Sequence, residues 1–248
     1  FFMRLQVEGV ESATVIEQAL REVATRFDAQ LRVDRLGRPM STLILATKAP
    51  HCLSHLLFNR DTGRLPIDVV RVMANHPDLE PIAQFHQIPF AWQQVTRQTR
   101  DAFETAVLDV VDEYDVELVV LARYMQILSD ELCRDLAGMA INIHHSFLPS
   151  FKGARPYHQA HERGVKLIGA TAHYVTADLD EGPIIEQDTV RVTHAQSPED
   201  YVSLGRDVEA VVLSRAIHAH INHRVFLNDA RTVVFPASPG GYASERMG

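Results

Sequence analysis

Near its midpoint the sequence reads Glu117-Leu118-Val119-Val120-Leu121-Ala122, which is apolar throughout after the first residue. A strand without alternating polar residues is buried on both faces, as in a parallel sheet that helices cover on both sides. Residues 42–46 form a similar apolar run, and residues 67–74 are the next predicted strand. Because helical stretches separate these strands, the pattern predicts an α/β fold with a mostly parallel, Rossmann-like sheet and helices on both faces.

The rest of the chain continues this pattern. Periodicity predicts helices that begin near residue 51 and at residues 78–86, 99–114 and 198–221. A further strand is predicted at residues 140–144, a longer antiparallel pair at 167–175 and 183–192, and a terminal hairpin from 225–227 and 232–234. These predictions place one large domain after a short linker at residues 37–40.

The first 34 residues have a different organisation. They predict a strand at residues 1–8, a helix that Ser12 caps and that runs to about Phe27, and a short strand at 31–33. Such a unit is too small to bury a core by itself. Because the chain begins with Phe1 rather than Met, we expect further residues upstream.

Composition excludes several classes of function. The formal charge is −8, from 24 basic and 32 acidic residues, and this argues against a nucleic-acid groove. The two cysteines, Cys52 and Cys133, form no Cys-x-x-Cys pair, which fits a reducing cytoplasm rather than a disulfide framework or a zinc site. No apolar run approaches the roughly 20 residues of a membrane helix, so no membrane partner is expected.

The densest chemistry lies in Ile141-Asn142-Ile143-His144. Residues two apart on a strand share a face, so Asn142 and His144 project together at the carboxyl end of their strand, where open α/β sheets bind ligands. An amide can donate to an oxyanion, and an imidazole can relay a proton. The alternative is that both are ordinary, satisfied polar groups at a strand end.

Two further segments could complete such a site. Residues 121–128 follow the buried strand and could line a pocket for a flat aromatic ligand, although core packing is the alternative. An acidic turn at residues 178–181 precedes Gly182-Pro183. Turns of this kind are usually only solvated, but one carboxylate could fold back over the Asn142 and His144 pair.

Other common sites are disfavoured. The first turn, residues 47–52, contains no glycine and is a poor phosphate cradle. No Gly-x-Ser-x-Gly elbow is found, which argues against a serine hydrolase. His158 and His161 lie three apart on a helix, but no third ligand has matching spacing, so no metal site is predicted.

Four motifs, in order, resemble the folate-dependent formyltransferase family. They are Asn142-x-His144, Ser146-Phe147-Leu148-Pro149-Ser150-Phe151-x-Gly153, Gly169-Ala170-Thr171-x-His173 and Asp180-Glu181-Gly182-Pro183-Ile184-Ile185. Within this family, residues 143–149, 153–160 and 164–175 are most similar to the formyltetrahydrofolate deformylases. Those enzymes carry an N-terminal ACT domain, a small α+β, ferredoxin-like module, and residues 1–36 resemble its second half. The resemblance then implies a catalytic domain at 41–236. The tail at 237–248, which holds Pro239-Gly240-Gly241, is expected to be disordered.

The resemblance also implies the site residues. Asn142, His144 and Asp180 would be the catalytic trio, and no metal or other cofactor would be needed. The folate would be held, largely through backbone groups, by Leu121, Met125, Gln126, Ile127, Leu128, His173, Thr176, Ala177 and Asp178. Gln126 departs from the family pattern, where an arginine is common, so a side-chain salt bridge to the folate is not expected.

The implied function is hydrolysis of 10-formyltetrahydrofolate by water to formate and tetrahydrofolate, which supplies formate for purine biosynthesis and balances one-carbon pools. A homo-oligomer is expected, with glycine and methionine as effectors at the ACT domain. The alternatives are a phosphoribosylglycinamide formyltransferase, a methionyl-tRNA formyltransferase and a non-catalytic amino-acid sensor. The turn at residues 48–53 favours the hydrolase, because the ribonucleotide formyltransferases place a glycine-rich loop there for the acceptor's phosphate.

Overall fold

The computed structural model describes residues 1–7, 9, 12–148 and 155–237. A seven-stranded sheet in the order β3-β2-β1-β4-β5-β6-β7 organises the fold. Its strands are β1 (Met40–Ala46), β2 (Ile67–Ala74), β3 (Phe90–Trp92), β4 (Leu118–Ala122), β5 (Ala140–His144), β6 (Leu167–Tyr174) and β7 (Ile184–Arg191). The helices are α1 (Ala13–Arg26), α2 (His51–Asp61), α3 (Glu80–Phe85), α4 (Arg100–Glu113), α5 (Asp130–Asp135), α6 (Pro156–Glu162) and α7 (Pro198–Ile221). The strands β8 (Val225–Asn228) and β9 (Arg231–Val234) form a separate hairpin.

Both faces of the central strands of the sheet are buried. Strands β1 to β5 pair in parallel, and β6 and β7 add an antiparallel edge. Ile44 and Ala46 pack on one face with α2 and α7, whereas Leu43 and Leu45 pack on the other face with α4 and α5. The predicted fold, a mostly parallel sheet with helices on both sides, is therefore confirmed.

The chain reverses its direction of travel across the sheet between β1 and β4. From β1 it proceeds outward to β2 and β3, then returns to place β4 directly beside β1. The loops that leave β1 and β4 consequently diverge and open a crevice at the carboxyl edge, which is the usual ligand position in open α/β sheets. His51 begins α2 beyond the first loop, and Arg123 follows β4 directly.

Some elements were not predicted. The strand β3 has three residues and the helix α5 has six, and both are too short for periodicity to detect. The helix predicted at residues 78–86 divides into a 3₁₀ turn, Pro77–Leu79, and α3. Pro81 explains the division, because a residue without an N–H is tolerated only in the first turn of an α-helix.

The N-terminal segment corrects part of the prediction. Helix α1 is present, and the Ser12 hydroxyl accepts a hydrogen bond from the N–H of Val15 at 3.3 Å. The strands predicted at residues 1–8 and 31–33 are wrong for the described residues, because neither segment pairs with another strand there. Arg4 instead donates to the carbonyl groups of Asn222 and His223 at 3.0 and 3.1 Å, which anchors the segment at the end of α7.

The linker prediction is corrected by one residue, whereas two other predictions fall on residues that the structure does not describe. Met40 belongs to β1, so the linker predicted at 37–40 is one residue shorter. Residues 149–153 of the second motif and residues 238–248 of the predicted tail lie outside the described residues. Among the described helices, none combines the length and apolar character required to cross a lipid bilayer.

Helix α7 closes one face of the sheet. It spans 24 residues and begins with a capping box in which Ser197 and Asp200 bond reciprocally to each other's backbone N–H. The ring of Tyr157 lies directly over Gly205, so that a Cβ atom on that glycine would stand 2.1 Å from the ring. The contact fixes α6 against α7.

We expect Gly205→Ala to destabilise the protein by about 1–3 kcal/mol through overpacking. An ordinary Gly→Ala change inside a helix has the opposite sign, with a gain of about 0.5–1 kcal/mol. Urea denaturation measures the difference, and Ser203→Ala, at an exposed position on the same helix, is the matched control. A stabilised Gly205→Ala variant would contradict the Tyr157 contact.

Candidate active site

Asn142 and His144 lie on the final residues of β5 and share one face. Ile141 and Ile143 point the other way and are buried in the core with α7. The alternation places two polar groups at the carboxyl edge while the strand keeps its apolar anchor. This part of the sequence prediction is matched by the structure.

Asp180 reaches His144 from the turn between β6 and β7. Its carboxylate oxygen Oδ1 lies 3.1 Å from Nδ1 of His144, and the two side chains are 22% and 8% exposed. The turn is tight: Asp180 has a φ of +58°, and a Cβ on Gly182 would lie 1.8 Å from the carbonyl oxygen of Tyr174. Only a glycine at position 182 lets this acidic turn approach β6 so closely.

The electrostatics of Asp180 favour its charged form. Burial by itself would raise the pKa of this carboxyl, but the contacts with His144 and His173 outweigh burial and hold the pKa well below its usual range. A carboxylate at Nδ1 keeps a proton on that nitrogen of His144. Nε2 of His144 is buried and has no hydrogen-bond partner among the described residues, so it is the atom available for chemistry.

His173 lies beside Asn142. The two residues are directly opposite in the antiparallel pairing of β5 and β6. Nδ1 of His173 is 2.9 Å from the carbonyl oxygen of Tyr174, so Nδ1 donates, and Nε2 lies 3.3 Å from the amide nitrogen of Asn142, which can donate to it. Nε2 also lies 3.8 Å from Asp180. His173 therefore orients the Asn142 amide, whereas its predicted folate contact stays a prediction.

Thr171 explains a further part of the motif in β6. Its buried hydroxyl donates to the carbonyl of Ser146 at 3.0 Å and accepts from the N–H of Leu148 at 3.1 Å. The Gln187 side chain on β7 donates to the same hydroxyl at 2.9 Å. These bonds fasten the start of the loop after His144 to the antiparallel edge of the sheet.

The residues expected to hold folate divide into two groups. Leu121 and Leu128 are buried in one core cluster with Val175, and this packing brings the segment after β4 to the turn after β6. Met125 and Ile127 are 53% and 63% exposed, which leaves apolar surface beside the site. Their backbone is held in part, since Thr47 accepts from the Met125 N–H at 2.9 Å. Of the remaining residues, Gln126 and Thr176 are half-buried and Ala177 and Asp178 are exposed.

A second polar network was not predicted. Glu209 on α7 is almost fully buried, with a side chain 1% exposed. One of its oxygens accepts from the Tyr157 hydroxyl at 2.6 Å, and the other lies 2.7 Å from Nε2 of His51 and 3.3 Å from Nε of Arg123. Burial would raise the pKa of Glu209, but these three partners hold it below the usual range.

One signal in the sequence could have revealed this network. Glu209 falls on the apolar face of α7, in register with Tyr201, Gly205 and Val212, all of which are buried. A carboxylate on a buried helix face requires partners. The partners themselves come from α2, α6 and the loop after β4, so their convergence depends on the tertiary fold.

His51, Cys52 and Glu209 place three potential metal-ligating atoms within 4.8 Å of one another. The Arg123 guanidinium already contacts the Glu209 carboxylate, and a second cation there would suffer its repulsion. Burial together with the charge of Glu209 raises the pKa of the Cys52 thiol, which disfavours the thiolate that metals bind. Glu209 therefore fits an internal ion pair with Arg123 better than a metal site with His51 and Cys52.

Comparisons with known proteins decide the family. A family model described as formyl transferase matches residues 40–217. A formyltetrahydrofolate deformylase from Corynebacterium sp. (strain P-1) is 50% identical over 237 residues, which cover 94% of this chain and 82% of that protein. This chain belongs to the formyltetrahydrofolate deformylase family. The family predicted from the sequence motifs is thereby confirmed.

Solved structures agree with this assignment to the deformylases. The crystal structure of formyltetrahydrofolate deformylase from Burkholderia mallei superposes with a TM-score of 0.85 at 51% identity and covers 91% of this chain and 80% of its own. Glycinamide ribonucleotide transformylase 1 from Symbiobacterium toebii gives a TM-score of 0.74 at 29% identity, covering 84% and 98%. The transformylase shares the fold, but the deformylases are much closer in sequence.

The pH dependence of stability follows from His145, beside the site. Burial first, then the charges of Arg123 and His144, lower the pKa of His145 to about 4. The unfolded chain takes up this proton near pH 6.5, so the folded state loses stability as pH falls from 6.5 to 4. We expect a slope of at most about 1.4 kcal/mol per pH unit for this proton. Urea denaturation of the wild type and His145→Gln measures it.

His220 provides a built-in background for that comparison. Burial also lowers the pKa of His220 to about 4, and this residue is present in both proteins. The wild type should therefore lose more stability than His145→Gln over the same pH range. Parallel curves would show that His145 is accessible to protons in the folded state.

Proposed function

We propose that this protein hydrolyses 10-formyltetrahydrofolate to formate and tetrahydrofolate. The observation that carries the proposal is the His144–Asp180 pair, because Nε2 of His144 has no hydrogen-bond partner among the described residues and lies on the strand face that Asn142 shares. A base and an amide donor at one strand end suit attack on a carbonyl carbon. The assignment of the chain to the deformylase family supports the choice of substrate.

In the proposed mechanism, Nε2 of His144 takes a proton from water as its oxygen bonds to the formyl carbon. One N–H of Asn142 donates to the resulting oxyanion, while its amide is held by His173. Asp180 stabilises the imidazolium that forms on His144. The carbon–N10 bond then breaks, its electron pair stays on N10, and Nε2 returns the proton to that nitrogen. These steps require neither a metal nor a redox cofactor.

The folate is proposed to lie where the segment after β4 meets the turn after β6. Met125 and Ile127 offer exposed apolar side chains there, and apolar surface with a few polar groups is typical of pockets for flat ligands. Leu121, Gln126, Leu128, Thr176, Ala177 and Asp178 complete the proposed set. A cytoplasmic location, a homo-oligomer and glycine or methionine effectors remain predictions.

The decisive experiment supplies the purified protein with 10-formyltetrahydrofolate and no acceptor, and follows release of formate and tetrahydrofolate. The proposed hydrolase turns over under these conditions, and His144→Ala abolishes the turnover. If no turnover occurs without an acceptor, but turnover begins when glycinamide ribonucleotide is added, the protein is instead a transferase.

Asn142→Ala and Asp180→Asn separate the two proposed roles. Loss of an oxyanion donor should reduce kcat by about 10²–10³-fold for Asn142→Ala. Loss of support for the imidazolium should reduce it by about 10²–10⁴-fold for Asp180→Asn. Asp112→Asn, at an exposed position on α4, is the control for loss of one negative charge. Near wild-type kcat in either site variant would remove that residue from the mechanism.

His173 is expected to act through Asn142 rather than on the folate. His173→Ala should lower kcat about tenfold, which corresponds to one lost hydrogen bond, while KM for the folate stays nearly constant. His173→Gln restores an acceptor for the Asn142 amide and should recover part of kcat. A change confined to KM would return His173 to the folate-binding residues.

A further inference from the structure

The Glu209 network occupies the crevice between the loops that leave β1 and β4. His51 contributes from the first residue of α2, directly after the loop that leaves β1, and Arg123 contributes from the loop after β4. Arg123 has a φ of +62°, a conformation that costs free energy and persists only where surrounding contacts impose it. The network therefore lies in the crevice, which is the position where open α/β sheets usually bind a ligand.

The network adjoins the site through His145. The His145 ring lies 5.0 Å from that of His144 and 6.5 Å from that of Tyr157, measured between ring centroids. His145 thus connects Tyr157 of the network to His144 of the site. Tyr157 cannot withdraw, because Gly205 on α7 already lies in contact with its ring.

The acceptor atoms of Glu209 are occupied. Tyr157 engages one oxygen, and His51 and Arg123 engage the other. A carboxylate such as Glu209 could hold an amine acceptor by accepting from its N–H. Releasing Glu209 for that purpose would leave the buried charge of Arg123 unpaired, which costs free energy.

Some polar atoms of the network nevertheless have unused hydrogen-bonding capacity. Nδ1 of His51 and Nη1 of Arg123 are buried, and neither has a hydrogen-bond partner among the described residues. Buried polar atoms of this kind are commonly satisfied by water. These atoms are therefore suited to bind water, which can both donate and accept.

We propose that the network of His51, Arg123, Tyr157 and Glu209 determines acceptor specificity by excluding amine acceptors from the crevice while admitting water. This inference rests on the proposed hydrolase function and assigns the network no part in the bond-breaking steps. In an opened crevice, an amine nitrogen would attack the formyl carbon and the carbon–N10 bond would break. The amine would lose one proton, and N10 would gain one, so the products would be a formamide and tetrahydrofolate.

The test measures partition of the formyl group between water and an amine. Each protein is incubated with 10-formyltetrahydrofolate and a fixed excess of glycinamide, and formate and N-formylglycinamide are quantified. The proteins compared are the wild type, His51→Ala and Tyr157→Phe. His51→Ala opens the rim of the network, where the His51 side chain is 15% exposed. Tyr157→Phe releases one Glu209 oxygen while keeping the ring against Gly205, so it tests the network with little risk to folding.

We expect the wild type to form almost only formate. The ratio of N-formylglycinamide to formate should rise at least about tenfold in His51→Ala, which corresponds to about 1.4 kcal/mol of altered discrimination, and by a smaller factor in Tyr157→Phe. His55→Ala is the matched control, since it removes the same side chain one turn further along α2. Its ratio should equal that of the wild type.

Unchanged ratios in both network variants, with formate still released, would overturn the proposal. Loss of both products in variants that remain folded by circular dichroism would also overturn it, because the network would then serve the reaction rather than the choice of acceptor. Absence of formate release by the wild type would overturn the proposed function itself. The wild-type reaction without glycinamide distinguishes that case from the other two.

Discussion

Because β6 runs antiparallel to β5, His173 lies directly opposite Asn142, and the turn beyond β6 carries Asp180 to His144. In a purely parallel sheet these groups would arise from loops at the same edge, and their spacing would depend on flexible connections. Here the pairing register fixes one contact, and the close approach of Gly182 to β6 fixes the other. The site is consequently organised before any substrate arrives, which is what electrostatic stabilisation of a transition state requires.

Two buried carboxylates in the same region serve different ends. Asp180 is half-buried and contacts His144 and His173, so its negative charge can stabilise a proton on His144. Glu209 is fully buried, and an arginine, a histidine and a tyrosine surround it. A buried ion pair contributes little net stability relative to apolar packing, because desolvation offsets the attraction. The Glu209 network therefore contributes to the shape of the crevice and to the choice of acceptor rather than to the stability of the fold.

The fold prediction rested on the pattern of apolar residues along the sequence. The runs at residues 42–46 and 118–122 could be placed in a parallel sheet because both faces of such strands must be buried. Asn142 and His144 could be placed on one face by strand alternation, whereas Asp180 depended on family resemblance. Tyr157, His51 and Arg123 escaped prediction, because each is locally ordinary and only the tertiary fold brings it to Glu209. The N-terminal strands failed because strand propensity without a pairing partner does not form a strand.

The contact between Gly205 and Tyr157 ties the identity of two positions together. The volume that a side chain would occupy at position 205 is already taken by the aromatic ring of α6. A larger residue on α7 becomes compatible only with a smaller one on α6, and a smaller one on α6 removes a hydroxyl from Glu209. Replacements at positions 157 and 205 must therefore occur together. Each such pair of replacements would change both the packing between the two helices and the chemistry of the crevice.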